Sequence, residues 1–368
     1  MGLAVSTAQA ERFQAWSGKG WGDVSPRRVG VKELTDWSNG MRQAVAIANS
    51  NVALAKYWGK RNESLNLPYT GSISITLAGL STTARVRFGA GGNHDRVVMN
   101  GEQLDTSPAY TVRQFLDHVR QAAGERAAAE VEIRSNFPVA AGLASSASTF
   151  AALALAASSA VGLSLSPREL SALARRGSGS AARSIFGGYA EWLPGEADDG
   201  SDSYAVQLAG PEHWRLGVVV AITDLGRKRV GSREGMAHAL KQSPFFPAWL
   251  ESHGADLDAV RQGILDRDLA LTGRAAERNC LKMHAASMAA SPPLLYWKPA
   301  TLAVMHRVLQ LREEGTEAYF TIDAGPQVKV ICSWPQRDAV AAAIREVPGV
   351  QNVLLSEPGG AAELVERA

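Results

Sequence analysis

The run from Phe137 to Phe150, FPVAAGLASSASTF, restricts this chain more than any other stretch. Ahead of it, Val131 and Ile133 alternate with Glu130, Glu132 and Arg134, the period of a half-buried strand. Pro138 has no N–H to give to a ladder and stops that strand. Ala140 to Ser146 then carry almost no side chain, and the Ala/Leu-rich segment from Ala147 to Val161 reads as a helix closed by Gly162. Bare backbone before a helix start has two uses. It allows close packing, and it lets free N–H groups and the positive end of the helix dipole face an anion. No Gly-Lys-Ser/Thr follows, so the loop is not of the Walker type.

The order Pro-x-x-x-Gly-Leu-x-Ser-Ser-Ala is carried by Pro138, Gly142, Leu143, Ser145, Ser146 and Ala147. It resembles the ATP loop of the GHMP kinases. FPVAAGLASSAS as a whole is similar to one branch of them, the diphosphomevalonate decarboxylases. The resemblance implies that Ala141, Gly142, Leu143, Ala144, Ser145 and Ser146 hold the triphosphate of ATP, with Ser146 a magnesium ligand.

A length of 368 residues accommodates two domains with their own cores. A net charge of +2 with scattered cations gives no argument for a nucleic-acid or membrane partner. Cys280 and Cys332 lack metal-like spacing and suit a reducing compartment, so a cytoplasmic location is expected. No run approaches a membrane span. Residues 1–40 have no secretory apolar core, yet Trp16, Trp21 and Trp37 are heavy for a disordered tail; an extension docked on the body through those rings is expected.

Ala46 to Ala55 alternates like a strand and empties into Lys56-Tyr57-Trp58-Gly59-Lys60-Arg61. Three cations there form either a solvated turn or a cluster that neutralises phosphate oxygens with the rings packed beneath. Ser72–Leu77 and Thr83–Phe88 read as two strands, and Asn100-Gly101 after Val97-Val98-Met99 signals a hairpin. Ser166-Pro167-Arg168-Glu169 opens a helix with a capping box. That helix reaches Arg175 or Arg176 before Gly177-Ser178-Gly179-Ser180, after which a short helix carries Arg183. Trp214 to Asp224 is a buried strand, and the region from Pro244 to Arg312 is mostly helical with a break at Pro292-Pro293. His284, without a partner at metal spacing, reads as a packed, hydrogen-bonded histidine. Ala318 to Ile322 is a strand ending in Asp323, which serves as a turn former or as a functional carboxylate. Beyond a helix at Arg337–Arg345 and a strand at Val350–Leu355, Gly359-Gly360 is expected to be a loose end.

KYWGKR, SGSAARSIFGGYAEW and AYFTIDAGPQVKV each resemble decarboxylase segments, in the family's order. The resemblance runs from about Ala46 to Gly360 and implies an α+β, two-domain GHMP kinase fold. Its domains would be residues 41–212, ribosomal protein S5-like and ATP-binding, and residues 213–368, ferredoxin-like, with the site in the cleft. It implies Asp323, Lys56 and Arg183 as catalytic residues, with Arg183 gripping the carboxylate that leaves as carbon dioxide. It also implies Tyr57, Lys60, Ser178, Gly179, Ser180 and Ser232 as substrate contacts. Where relatives read Asn-Ser-Ser and Ser-Ser, this chain has Thr70-Gly71-Ser72 and Gly231-Ser232. The implied reaction converts mevalonate 5-diphosphate and ATP, with Mg2+, to isopentenyl diphosphate, ADP, phosphate and carbon dioxide, in a homodimer. The alternatives are a mevalonate 5-phosphate decarboxylase, a mevalonate 3-kinase, another small-alcohol GHMP kinase, or a nucleotide-binding sensor without turnover.

Overall fold

The computed structural model describes residues 42–89, 92–105, 107–137, 145–226 and 228–367. The extension with Trp16, Trp21 and Trp37, Pro138, and the loop residues Ala141, Gly142, Leu143 and Ala144 lie outside the described residues.

The strands in chain order are β1 Gln43–Ala55, β2 Lys60–Asn62, β3 Leu67–Pro68, β4 Ser72–Phe88, β5 Arg96–Met99, β6 Glu102–Gln103, β7 Ala129–Ser135, β8 Tyr189–Trp192, β9 Ala205–Ala209, β10 Leu216–Ile222, β11 Ala318–Ile322, β12 Val328–Ser333, β13 Asn352–Ser356 and β14 Glu363–Arg367. The α-helices are α1 Ser107–Ala123, α2 Ser145–Ala160, α3 Pro167–Gly177, α4 Ser232–Gln242, α5 Phe246–Asp266, α6 Leu269–Met288, α7 Pro299–Glu313 and α8 Arg337–Arg345. One sheet runs β14-β1-β4-β7-β5-β6, with β8 on the first residues of β4 and β9 beyond it; a second runs β11-β12-β10-β13. Strands and helices mix in both, the α+β character expected from the sequence.

The two strands expected at Ser72–Leu77 and Thr83–Phe88 are one continuous strand, β4. Its pairing with β1 jumps from Asn49↔Ser81 to Asn51↔Thr76, so the residues from Leu77 to Leu80 bulge out of the ladder. Gly79, at φ +79°, sits in that bulge. The apolar alternation breaks at the bulge, which is why the sequence reads as two pieces. Chain from the C-terminal end fills the gap. Gly359 N–H donates to Thr76 O at 2.7 Å, and Gly359 O accepts from Gly188 N–H at 2.8 Å. A Cβ at Gly359 would lie 2.6 Å from Ala78 N, so only glycine fits. The expected loose end is therefore a plug, and the unexpected β14 follows it onto the edge of β1.

Strand alternation divides the core. From β10, Val218, Val220 and Ile222 face a cluster shared with Val52, Leu54, Ile73 and Ile75 of the first sheet and with α5 and α6. Val219 and Ala221 face the opposite way, towards Val304, Val308, Val340 and Ile344 of α7 and α8. A strand clothed on both sides has no polar face, which is why Leu216–Ile222 reads as an unbroken apolar run. Helix α2 is buried almost all round, and its alanines let it settle closely on β1 and β4. The capping box at Ser166 and Glu169 forms as expected, and Asn100 and Gly101 make the hairpin turn with positive φ at both residues.

Candidate active site

β1 ends at Ala55 in the core that it shares with Val218, Val220 and Ile222 of β10, and the chain turns at Gly59 with φ +104°. Trp58 goes inward among Met236, Phe246, Trp249 and Tyr296, while Tyr57 packs edge-on against Trp192 with ring centroids 4.7 Å apart. The rings therefore anchor the turn and leave Lys56 and Lys60 facing a cavity of about 460 Å3. Arg61, the third cation of the run, turns away and donates to Gly195 O and Ala197 O at 3.1 and 3.0 Å. Thr70 and Gly71 are likewise absent from the lining; Gly71 O accepts from the His253 ring instead.

Asp323 follows β11, and its strand is tied to the end of β1 at one carbonyl. Ala53 O accepts from Lys56 Nζ at 2.7 Å and from Thr321 Oγ1 at 3.3 Å. Lys56 Nζ then reaches Asp323 Oδ1 at 2.8 Å across 267 residues of chain. Lys329, from β12, takes the other oxygen, Oδ2, at 2.9 Å. Burial by itself pushes the Asp323 carboxyl up, but Lys329 and Lys56 more than reverse it and hold it well below the usual carboxylate range. Lys228 lies close by, donating to Ser232 Oγ and Ala324 O, and burial brings its ammonium down to about 8 against the pull of Asp323.

Arg183 projects from the 3-10 turn Gly179–Ile185 and is 2% exposed. Its guanidinium donates to Ser72 Oγ and, at 3.4 Å, to Asn51 Oδ1. Its Nε and the Tyr57 hydroxyl are buried and have no hydrogen-bond partner among the described residues. Burial lowers Arg183 to about 10, and Asp323 pulls it back up, so it stays charged at neutral pH. Burial raises the Tyr57 phenol out of reach of ionisation. Lys60 Nζ donates to Asn66 Oδ1 at 2.6 Å and is brought down to about 8 by burial and then by Arg233. Ser146, Ser178 and Ser180 form a row of hydroxyls, 3.2 and 3.3 Å apart, where α2 opens onto the cavity. Gly179 is required there, because a Cβ would lie 2.6 Å from the Tyr57 ring.

Lys56, Tyr57, Lys60, Ser145, Ser146, Ser178, Gly179, Ser180, Arg183, Ser232 and Asp323 thus line one cavity. Ala141, Gly142, Leu143 and Ala144 are outside the described residues. Asn51, Arg233, Lys228 and Lys329 were not singled out from the sequence. A lysine inside the apolar run VKVIC is the signal that could have found Lys329, since a lone charge in a buried strand needs a partner. His284 is packed as expected: its ring meets Ile322 O at 3.2 Å, and burial lowers it to about 3, so it is neutral.

A sequence profile of the diphosphomevalonate decarboxylase-like N-terminal domain matches residues 48–205, and one of the mevalonate 5-diphosphate decarboxylase C-terminal domain matches residues 218–357. The chain belongs to the diphosphomevalonate decarboxylase family. The Aspergillus fumigatus diphosphomevalonate decarboxylase mvd1 is 33% identical over 326 residues, 83% of this chain and 81% of that protein. The human diphosphomevalonate decarboxylase is 33% identical over 76% of this chain and 74% of its own. Among solved structures, the complex of MDDEF with MVAPP, AMPPCP and magnesium has 40% identity and a TM-score of 0.83, covering 89% of this chain and 99% of that one. The mevalonate diphosphate decarboxylase of Staphylococcus aureus has 36% identity and a TM-score of 0.84, covering 89% and 98%. The fold is accordingly that of the GHMP kinases, as the sequence led us to expect.

Proposed function

We propose that this protein converts mevalonate 5-diphosphate and ATP to isopentenyl diphosphate, ADP, phosphate and carbon dioxide. The observation that carries the proposal is the meeting of Asp323, Lys56 and Arg183 around one cavity beside the hydroxyl row at the start of α2.

A tertiary hydroxyl leaves poorly, so it is first converted to a phosphate ester. As the hydroxyl oxygen bonds to the γ-phosphorus, the bond to the ADP oxygen breaks, ADP departs with that electron pair, and the O–H proton passes to solvent. The C–O bond then breaks, phosphate departs with that electron pair, and the C1–C2 pair forms the alkene as carbon dioxide leaves. Asp323 is held so far towards its ionised form that it orients the hydroxyl as a hydrogen-bond acceptor and stabilises positive charge on the carbon. Arg183, with an unpartnered Nε, offers a planar fork to the substrate carboxylate. Lys60, Tyr57 and Ser232 with Arg233 supply donors for the diphosphate, and Ser178, Gly179 and Ser180 close the wall between the two ends.

Among the described residues no group of three or more His, Cys, Asp or Glu side chains is placed to hold a metal. Both Asp323 oxygens are already paired with lysines. These features suit magnesium brought in with ATP, and Ser146 is the residue that would hold it from the protein side. When bound, it neutralises charge on the triphosphate.

The proposal includes a boundary between domains at residues 212 and 213, with residues 1–40 as an extension, a homodimer, and a cytoplasmic location. The domain boundary and the homodimer are supported by the family resemblance, the cytoplasmic location by two cysteines without metal-like spacing, and the extension by Trp16, Trp21 and Trp37. A coupled ADP-release assay with mevalonate, its 5-phosphate and its 5-diphosphate, with product masses measured, tests the reaction. Turnover of the 5-diphosphate alone to isopentenyl diphosphate is expected. Preference for the 5-phosphate, or a phosphorylated product without loss of carbon dioxide, would replace the proposal with a sister activity.

A further inference from the structure

Lys329 lies on β12, opposite Thr321 of β11 in the ladder, and its side chain is 3% exposed. It is not among the residues lining the cavity. Its ammonium nevertheless meets Asp323 Oδ2 at 2.9 Å, on the side of the carboxylate away from the Lys56 pair at Oδ1. The two lysines come from different elements: one from the exit of a strand in the first sheet, one from within a strand of the second. A carboxylate gripped on both oxygens cannot rotate about its terminal bond without breaking a buried ion pair. Removing one partner from such a pair is strongly unfavourable, because a buried charge is left unpaired.

We infer that Lys329 is a positioning residue for the reaction, fixing the plane of the Asp323 carboxylate and its ionised state from behind the active-site wall. The inference rests on the proposal that Asp323 acts on the 3-hydroxyl. Among the described residues, the other titratable groups that act on Asp323 are Lys56 from the end of β1, Lys228 from the loop before α4, Arg183 from the 3-10 turn, and His284 and Cys280 from α6. His284 is neutral, and burial pushes the Cys280 thiol up to about 11, so neither supplies countercharge in place of Lys329. Without Lys329, burial regains its weight on Asp323 and the carboxyl titrates nearer to neutrality.

The test is Lys329→Met, with Lys329→Arg beside it, in the full chain under saturating Mg-ATP. We expect kcat for mevalonate 5-diphosphate at neutral pH to fall by about tenfold or more while KM stays within about threefold, the pattern of a lost transition-state interaction. We also expect the acid limb of the kcat profile to move up by about one pH unit or more, and Lys329→Arg to recover most of both. One readout is independent of turnover. The Tm deficit of Lys329→Met against wild type should be largest at neutral pH and should narrow below about pH 4, because wild type then loses the Asp323–Lys329 pair that the variant lacks at every pH. Unchanged kcat and acid limb would overturn the inference. So would a loss of activity with kcat and KM changing in step, an unmoved limb and no recovery in Lys329→Arg. If Lys329→Met does not fold, Lys329→Gln, which keeps a donor without the charge, decides by the same limb. A wild-type enzyme inactive on every mevalonate derivative would instead defeat the proposed reaction, leaving the stability comparison to judge Lys329.

Discussion

Asp323→Asn keeps the side chain's volume and removes one charge, and it separates the two jobs assigned to this carboxylate. In the native protein each oxygen is ion-paired, to Lys56 at 2.8 Å and to Lys329 at 2.9 Å, and those lysine side chains are 2% and 3% exposed. The amide leaves two buried ammonium groups facing each other without an anion. Breaking a buried pair from one side costs about 3–5 kcal/mol, a large share of the 5–15 kcal/mol that holds a typical domain together. Deprotonation of one lysine would recover part of that, so the Tm should drop but the fold should persist. The sign with pH follows from the depressed carboxyl. Its contribution is complete above the unfolded value near 4 and is lost as pH falls towards the folded value, so the gap in Tm between the two proteins should close below about pH 4. For turnover, loss of an oriented acceptor and of electrostatic support for a cationic carbon together predict a fall in kcat of about 10²–10⁴, or about 3–5 kcal/mol in the barrier. ATP affinity should change little, since the hydroxyl row at α2 is built from other residues. Coupled ADP release gives kcat, product mass confirms the alkene, and calorimetry gives ATP affinity. A kcat within tenfold of wild type would refute the role given to Asp323.

Arg183→Lys should lower kcat/KM by about tenfold to a hundredfold, because an ammonium cannot reproduce the fork; equal loss in an exposed arginine control such as Arg345→Lys would remove the clamp assignment. Lys60, brought down to about 8, should discharge as pH rises through that value, so KM for the diphosphate substrate should climb above pH 8. Lys60→Met should have a higher KM with no such climb, and a climb that persists in the variant would point to another group. Treatment with EDTA should abolish turnover until Mg2+ is restored yet leave Tm unchanged, since no cluster among the described residues holds a structural ion. A large fall in Tm would reveal a resident metal.

Much of the fold was legible because its signals are local. The Ser166–Glu169 capping box, the Asn100-Gly101 turn and the strand-to-helix passage from Ala129–Ser135 to Ser145–Ala160 each depend on neighbours within a few residues. The single strand β4 was hidden by a bulge that only its partner and the segment around Gly359 explain. Likewise, KYWGKR showed a cationic cluster, but not that Arg61 would be drawn off to the turn at Gly195 and Ala197.

The sequence by itself determined which residue types stand at each strand exit and helix start, and so the chemistry on offer: a carboxylate, a guanidinium, ammonium groups and a hydroxyl-lined helix opening. Tertiary structure decided which of them share a charge. Lys56 and Lys329 reach Asp323 because β1, β11 and β12 pack at one point, with Ala53 O as the hinge of the contact. Coulomb energy depends on distance and burial, and neither is written in the order of residues along the chain.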